Sequence, residues 1–170
     1  MELLGFGTDA PLHFDTAYAV TVSTEASDEE NLHLQEPYQF SFRTGRASVI
    51  GTRPPDGARE VFVDPAMYRL AVFFNARLDP KSVTAEKIRI RPVLGNIPQI
   101  TVTNSPASGW SEISISANWN YGVRYAVTVG SGIRTVDNSP ISNLPYTFGF
   151  TTGVGRPIDF APGARVPMRR

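Results

Sequence analysis

Apolar and polar residues alternate in short runs along most of this chain, and the period is two. In "MYRLAVFF" (Met67 to Phe74), Tyr68, Leu70, Val72 and Phe74 share one face. "KIRIR" sets Ile88 and Ile90 against Arg89 and Arg91, and "PQITVT" offers Ile100 and Val102. "SEISIS" turns Ile113 and Ile115 inward and Glu112, Ser114 and Ser116 toward water. "YAVTV" presents Tyr125, Val127 and Val129, and "YTFGF" presents Tyr146, Phe148 and Phe150. These runs are rich in β-branched and aromatic residues and are broken by Pro, Gly and Asn clusters, which predicts strands. With "ASVIG" (Ala47 to Gly51) and "EVFV" (Glu60 to Val63), residues 46–153 hold seven or eight of them. One dry and one wet face per strand implies sheets buried on one side, and two such sheets face to face make an all-β sandwich. Only "LDPKSVTAEKI" predicts helix, a single turn crossing between sheets, with Asp79 as N-cap and Pro80 as first helical residue. "RPPDGA" (Arg53 to Ala58) predicts a turn.

The chain also repeats itself. "AYAVTVSTEASDEENLHLQEPYQFSFRTG" (Ala17 to Gly45) parallels "RYAVTVGSGIRTVDNSPISNLPYTFGFTTG" (Arg124 to Gly153). Both begin Tyr-Ala-Val-Thr-Val and both end Pro-Tyr-x-Phe-x-Phe-x-Thr-Gly. The match reaches upstream, where Leu12, Phe14 and Tyr18 parallel Trp119, Tyr121 and Tyr125. A fixed repeat of this kind is the signature of a modular array. The second copy carries a full body in front of it, and the first carries only its tail. Three segments are therefore expected: residues 1–45 as the C-terminal half of a preceding unit, residues 46–153 as a complete unit, and residues 154–170 as a linker rich in Pro, Gly and Arg.

Composition narrows the function classes. The chain has 170 residues, enough for one sizeable core, with 41% apolar and 19% charged residues. Sixteen basic residues balance sixteen acidic ones, which offers nucleic acid no electrostatic footprint. There is no cysteine, hence no disulfide, thiolate ligand or cysteine nucleophile. No apolar run is long enough to insert in a membrane, and "MELLGFGTDAPL" lacks the layout of a signal peptide.

The residues that carry the repeat resemble the bacterial immunoglobulin-like domain of the SbsA surface-layer type. The resemblance rests on Pro55, Gly57, Val61, Val72 and Phe74, then on the run Leu78, Asp79, Pro80, Ser82 and Val83. It continues at Tyr125, Val127, Val129 and Asp137, and closes on Tyr146, Phe148, Phe150, Thr151, Thr152 and Gly153. The loop "TVDNSP" departs from it, lacking the glycine that often precedes the asparagine. The resemblance implies an immunoglobulin-like sandwich, as found in surface-layer proteins, adhesins and some bacterial α2-macroglobulin-like proteins. It implies an extracytoplasmic segment of a longer secreted, periplasmic or cell-surface chain, with a spacer or recognition role. Neighbouring immunoglobulin-like domains of the same chain are the expected partners. A protein or glycan ligand at the strand-connecting loops, or accessory service to a secreted hydrolase or macroglobulin-like inhibitor, are the alternatives.

Few residues offer chemistry. Tyr18 and Tyr125 open equivalent strands, where the resemblance implies a tyrosine corner, a hydroxyl bonded back to the backbone. His13 and His33 are the only histidines, and neither has a ligand or catalytic partner at a recognisable spacing. "EASDEE" (Glu25 to Glu30) is acidic but lacks the alternating spacing of a calcium loop, so a solvated loop tip is expected. Asp137 and Asn138 predict a turn. Trp119 is expected in the core, whereas Trp110 and Tyr121 are the candidate binding surface for a sugar or partner. No serine or threonine has an activating base in view, so no catalytic residue, cofactor or metal is assigned and no enzyme is expected. Two strands and a loop cannot bury their own apolar face. Residues 1–45 are therefore expected to pair along an edge of the complete unit or with another molecule, a strand-exchanged dimer included.

Overall fold

The computed structural model describes residues 11–63, 68–105 and 107–154; the expected linker at residues 154–170 lies, apart from Val154, outside them. Ten strands account for nearly all the regular structure. They are β1 (Ala17–Val22), β2 (Tyr38–Arg43), β3 (Val49–Arg53), β4 (Ala58–Val61) and β5 (Arg69–Phe74), followed by β6 (Ile88–Arg91), β7 (Gln99–Asn104), β8 (Ser111–Ser116), β9 (Arg124–Val129) and β10 (Tyr146–Thr152). β3 to β10 form two four-stranded sheets, one in the order β4-β10-β9-β6 and the other β3-β5-β8-β7. All described pairs in them are antiparallel except β4 with β10, which run parallel.

The core lies between the sheets, where period-two alternation puts it. Leu70, Val72 and Phe74 of β5 and Ile113 and Ile115 of β8 face Tyr125, Val127 and Val129 of β9 and Phe148 and Phe150 of β10, all 1% exposed or less. Trp119 closes one end, edge-on to Tyr125 at 5.0 Å and to Phe150 at 5.4 Å between ring centroids. Aromatic pairs at such angles and distances add to what area burial alone supplies.

The predicted helical turn is a 3₁₀ turn, Pro80–Ser82, on the crossing from β5 in one sheet to β6 in the other. Asp79 caps it by accepting from the Lys81 amide at 3.0 Å. One strand face departs from expectation. Ser114 was assigned to the wet face but is buried, because β8 is an interior strand, registered against Ala71 of β5 and Thr101 of β7. Its hydroxyl is satisfied by donating to the Glu112 carboxylate.

β1 and β2 form a separate two-stranded sheet, hydrogen-bonded to neither of the larger ones. The expected pairing along an edge of the complete unit is therefore not how the hairpin sits. Its register nevertheless repeats that of β9–β10. Tyr18 faces Phe42, Val20 faces Phe40 and Val22 faces Tyr38. In the same order Tyr125 faces Phe150, Val127 faces Phe148 and Val129 faces Tyr146.

Candidate functional site

The repeat extends below strand level, to a turn and a latch built twice. In the complete unit the chain leaves β8, turns through Trp119–Val123 and enters β9. Gly122 sits at φ 68°, the left-handed region. The Asn120 amide donates to Tyr125 Oη at 3.0 Å. At the end of β10, buried Thr152 ties the same turn down. Its Oγ1 accepts from the Val123 amide at 2.9 Å and donates to the Asn120 carbonyl at 2.7 Å. The Gly122 amide donates to the Gly153 carbonyl at 3.0 Å.

Each contact recurs in the first copy. The His13 amide donates to Tyr18 Oη at 2.8 Å. Thr44 Oγ1 accepts from the Thr16 amide at 3.0 Å and donates to the His13 carbonyl at 2.6 Å. The Asp15 amide donates to the Gly45 carbonyl at 2.9 Å, and Asp15 occupies the left-handed position of Gly122, at φ 51°. Aspartate tolerates that region better than most side chains. Thr152 carries part of the family resemblance, but neither threonine was given a role from sequence. The signal was present, since Thr-Gly closes both copies, but only the fold shows what it holds.

The two copies meet directly. Gly45 ends the first latch, and Ala47, two residues on, is already in the core of the second unit. Asp15 Oδ1 receives Arg43 Nε at 2.8 Å and lies 3.4 Å from Arg46 Nε. The hydrogen bond from Arg43 holds the Asp15 carboxyl below its usual range. His13 Nδ1 lies 3.2 Å from Asp137 Oδ2, in the loop between β9 and β10. That loop is tightly knit: Asp137 also accepts from Thr135 Oγ1 and Ser139 Oγ, and Asn138 takes φ 65°. Burial would raise the Asp137 carboxyl, but hydrogen bonds from Thr135, His13 and Ser139 outweigh it and bring it down to about 2.

Trp110 and Tyr121 do not form one platform. Trp110 precedes β8 and Tyr121 lies in the loop leaving its other end, roughly 20 Å away along a strand of this length. Both are exposed, at 38% and 52%. Trp110 packs edge-on against Phe73 at 6.2 Å, and the Arg53 guanidinium lies over the same Phe73 ring at 5.5 Å. Trp119, by contrast, is buried at 3%.

The acidic run Glu25–Glu30 is exposed throughout. Asp28 builds its turn, accepting the Leu32 amide at 2.8 Å. Among the described residues no group of three or more His, Asp or Glu is placed to hold a metal ion. A half-open cleft of about 700 Å³ runs along β4, β10 and β9, with Gly149, Ala126, Asp56, Arg59, Glu60 and Arg124 among its lining residues. A shallower one of about 410 Å³ lies beside Val93 and Ile97. No described helix is long and apolar enough to cross a membrane.

A two-sheet sandwich with a tyrosine tied to the turn before its strand, and with loops at its ends, defines an immunoglobulin-like module. The chain belongs to the bacterial Ig-like domain family, whose pattern matches residues 46–152. Among solved structures, the N-terminal part of the bacterial S-layer protein SbsC is similar over 64% of this chain and 24% of its own length. Its identity to this chain is 14% and the TM-score 0.41. No curated protein matches the chain.

Proposed function

We propose that this chain is a non-catalytic structural spacer in a larger secreted or cell-surface bacterial protein, with residues 1–45 belonging to a preceding unit of the same kind. The observation that carries this reading is the double latch. Turn, tyrosine and threonine contacts recur atom for atom in both copies, and the copies are joined at Gly45–Arg46 without a linker. Such a joint transmits position. Tyr18 and Tyr125 act as tyrosine corners that fix the turn into each hairpin, and Thr44 and Thr152 close it. Asp15–Arg46 and His13–Asp137 brace the joint across its two sides.

Spin labels on the exposed tips at Glu25 and Ile97 test this by pulsed dipolar spectroscopy. The wild type gives a narrow distance distribution, and a double change of Asp15→Ala and His13→Ala broadens it. An equally broad distribution in both proteins removes the spacer reading. A second reading, recognition of a sugar or protein through the loops, is favoured by exposed Trp110 packed edge-on against Phe73 beside Arg53. It predicts saccharide or partner binding that Trp110→Ala abolishes.

A further inference from the structure

β1–β2 carries an apolar face made of Tyr18, Val20, Val22, Tyr38, Phe40 and Phe42. Its other face, with Thr21, Gln39, Ser41 and Arg43, is polar. Phe40 and Phe42 are 37% and 40% exposed, whereas their counterparts Phe148 and Phe150 are each 1% exposed. Tyr18 stacks on Phe42 at 5.7 Å, the separation of Tyr125 from Phe150. Leu12 stands where Trp119 closes the complete core, at 38% exposure against 3%. Among the described residues nothing packs over this face as the β3-β5-β8-β7 sheet packs over β9–β10.

The complete unit shows what such a face accepts. There the inward residues of β9 and β10 meet Leu70, Val72, Ile113 and Ile115, with Phe74 the one aromatic residue of β5 and β8 among them. Both outer edges of that hairpin are also taken, β9 by antiparallel β6 and β10 by parallel β4. The corresponding edges of β1 and β2 pair with no described strand. A second copy of the hairpin would set four aromatic residues, Tyr18, Tyr38, Phe40 and Phe42, where the observed sheet sets one, and fill neither edge in the observed sense. The turn into β1 is the turn into β9, with the same left-handed position and the same latch.

We infer that the β1–β2 face is a docking surface for the front half of a bacterial Ig-like sandwich, supplied by polypeptide joined ahead of Leu12. The occupant brings a largely aliphatic-faced sheet equivalent to β3-β5-β8-β7. It also brings one strand parallel to β2 and one antiparallel to β1. This rests on the modular reading above, but it concerns how the hairpin is covered rather than how the joint is held.

Amide hydrogen exchange on two proteins tests it. One is the chain of 170 residues. The other is that chain with a duplicate of residues 46–118 placed directly before Leu12, so that the duplicated β8 runs into the first-copy turn. In the chain alone, β1 and β2 amides exchange rapidly and sedimentation gives a monomer. In the duplicated protein these amides gain about a hundredfold protection or more, as sub-global opening gives way to global opening. Phe42→Asp removes the gain while β9–β10 protection stays as the internal control of folding. Three results overturn the inference. One is a hairpin already protected in the monomeric chain. Another is a concentration-dependent dimer abolished by Phe42→Asp, which would make a second copy the occupant. The third is a folded duplicate whose hairpin gains nothing. The joint is probed separately by the spin-label distances, so failure of either reading leaves the other measurable.

Discussion

Replacing Thr152 by valine removes one hydroxyl and keeps the shape. Thr152 is 2% exposed, so no solvent reaches its place. Its Oγ1 serves the Val123 amide and the Asn120 carbonyl, at 2.9 and 2.7 Å. Asn120 is exposed and its carbonyl can turn to water, which limits that loss to about 0.5–1 kcal/mol. Val123 is half-buried; orphaning its amide N–H costs about 1–2 kcal/mol. The sum is roughly 1.5–3 kcal/mol. For a unit of this size that lowers Tm by roughly 6–15 °C. Thr44 makes the same bonds in the first copy, at 3.0 and 2.6 Å, but on a hairpin whose strands are largely open to water. Thr44→Val should therefore change global stability by no more than about 0.5 kcal/mol. Urea unfolding followed by tryptophan fluorescence measures both, since Trp119 lies in the core of the complete unit. A Thr152→Val protein as stable as wild type, or equal losses in the two variants, would refute the assignment of the latch.

The same asymmetry applies elsewhere. Tyr125→Phe should cost about 1–2 kcal/mol in urea unfolding by leaving the Asn120 amide unpaired, while Tyr18→Phe leaves the transition in place. Phe148→Ala should lose about 3–5 kcal/mol, whereas Phe40→Ala on the open face changes the midpoint little. Gly122→Ala places a Cβ at φ 68° and 3.2 Å from Val154 Cγ1, for a loss of about 1–2 kcal/mol by thermal unfolding. Asp137 titrates at about 2 in the folded chain against 3.8 for the free group. Its lowered value means that its contribution is fully present above about pH 4 and fades as pH falls through about 2. Asp137→Asn should flatten that part of an acid-unfolding curve and leave neutral-pH cooperativity intact.

Much of the fold was legible from single residues. Alternation placed Leu70, Val72 and Phe74 inward because a strand has only two faces, and Asp79-Pro80 announced its turn because capping is local. Alternation failed at Ser114 because it reports which way a side chain points and not what stands beside it. Trp110 and Tyr121 were singled out together as aromatic residues near loops, yet β8 holds them at opposite ends.

The sequence by itself determined the module: two copies of one hairpin and the sandwich around the second. Those are properties of pattern, and pattern is local. Tertiary structure decided what Thr44 and Thr152 hold, that Asp15 and Gly122 share one backbone position, and that His13 reaches Asp137. It also decided that near-identical hairpins differ in fate. Phe148 and Phe150 are dry and Phe40 and Phe42 are wet because burial depends on the opposing sheet, which no strand encodes in its own residues.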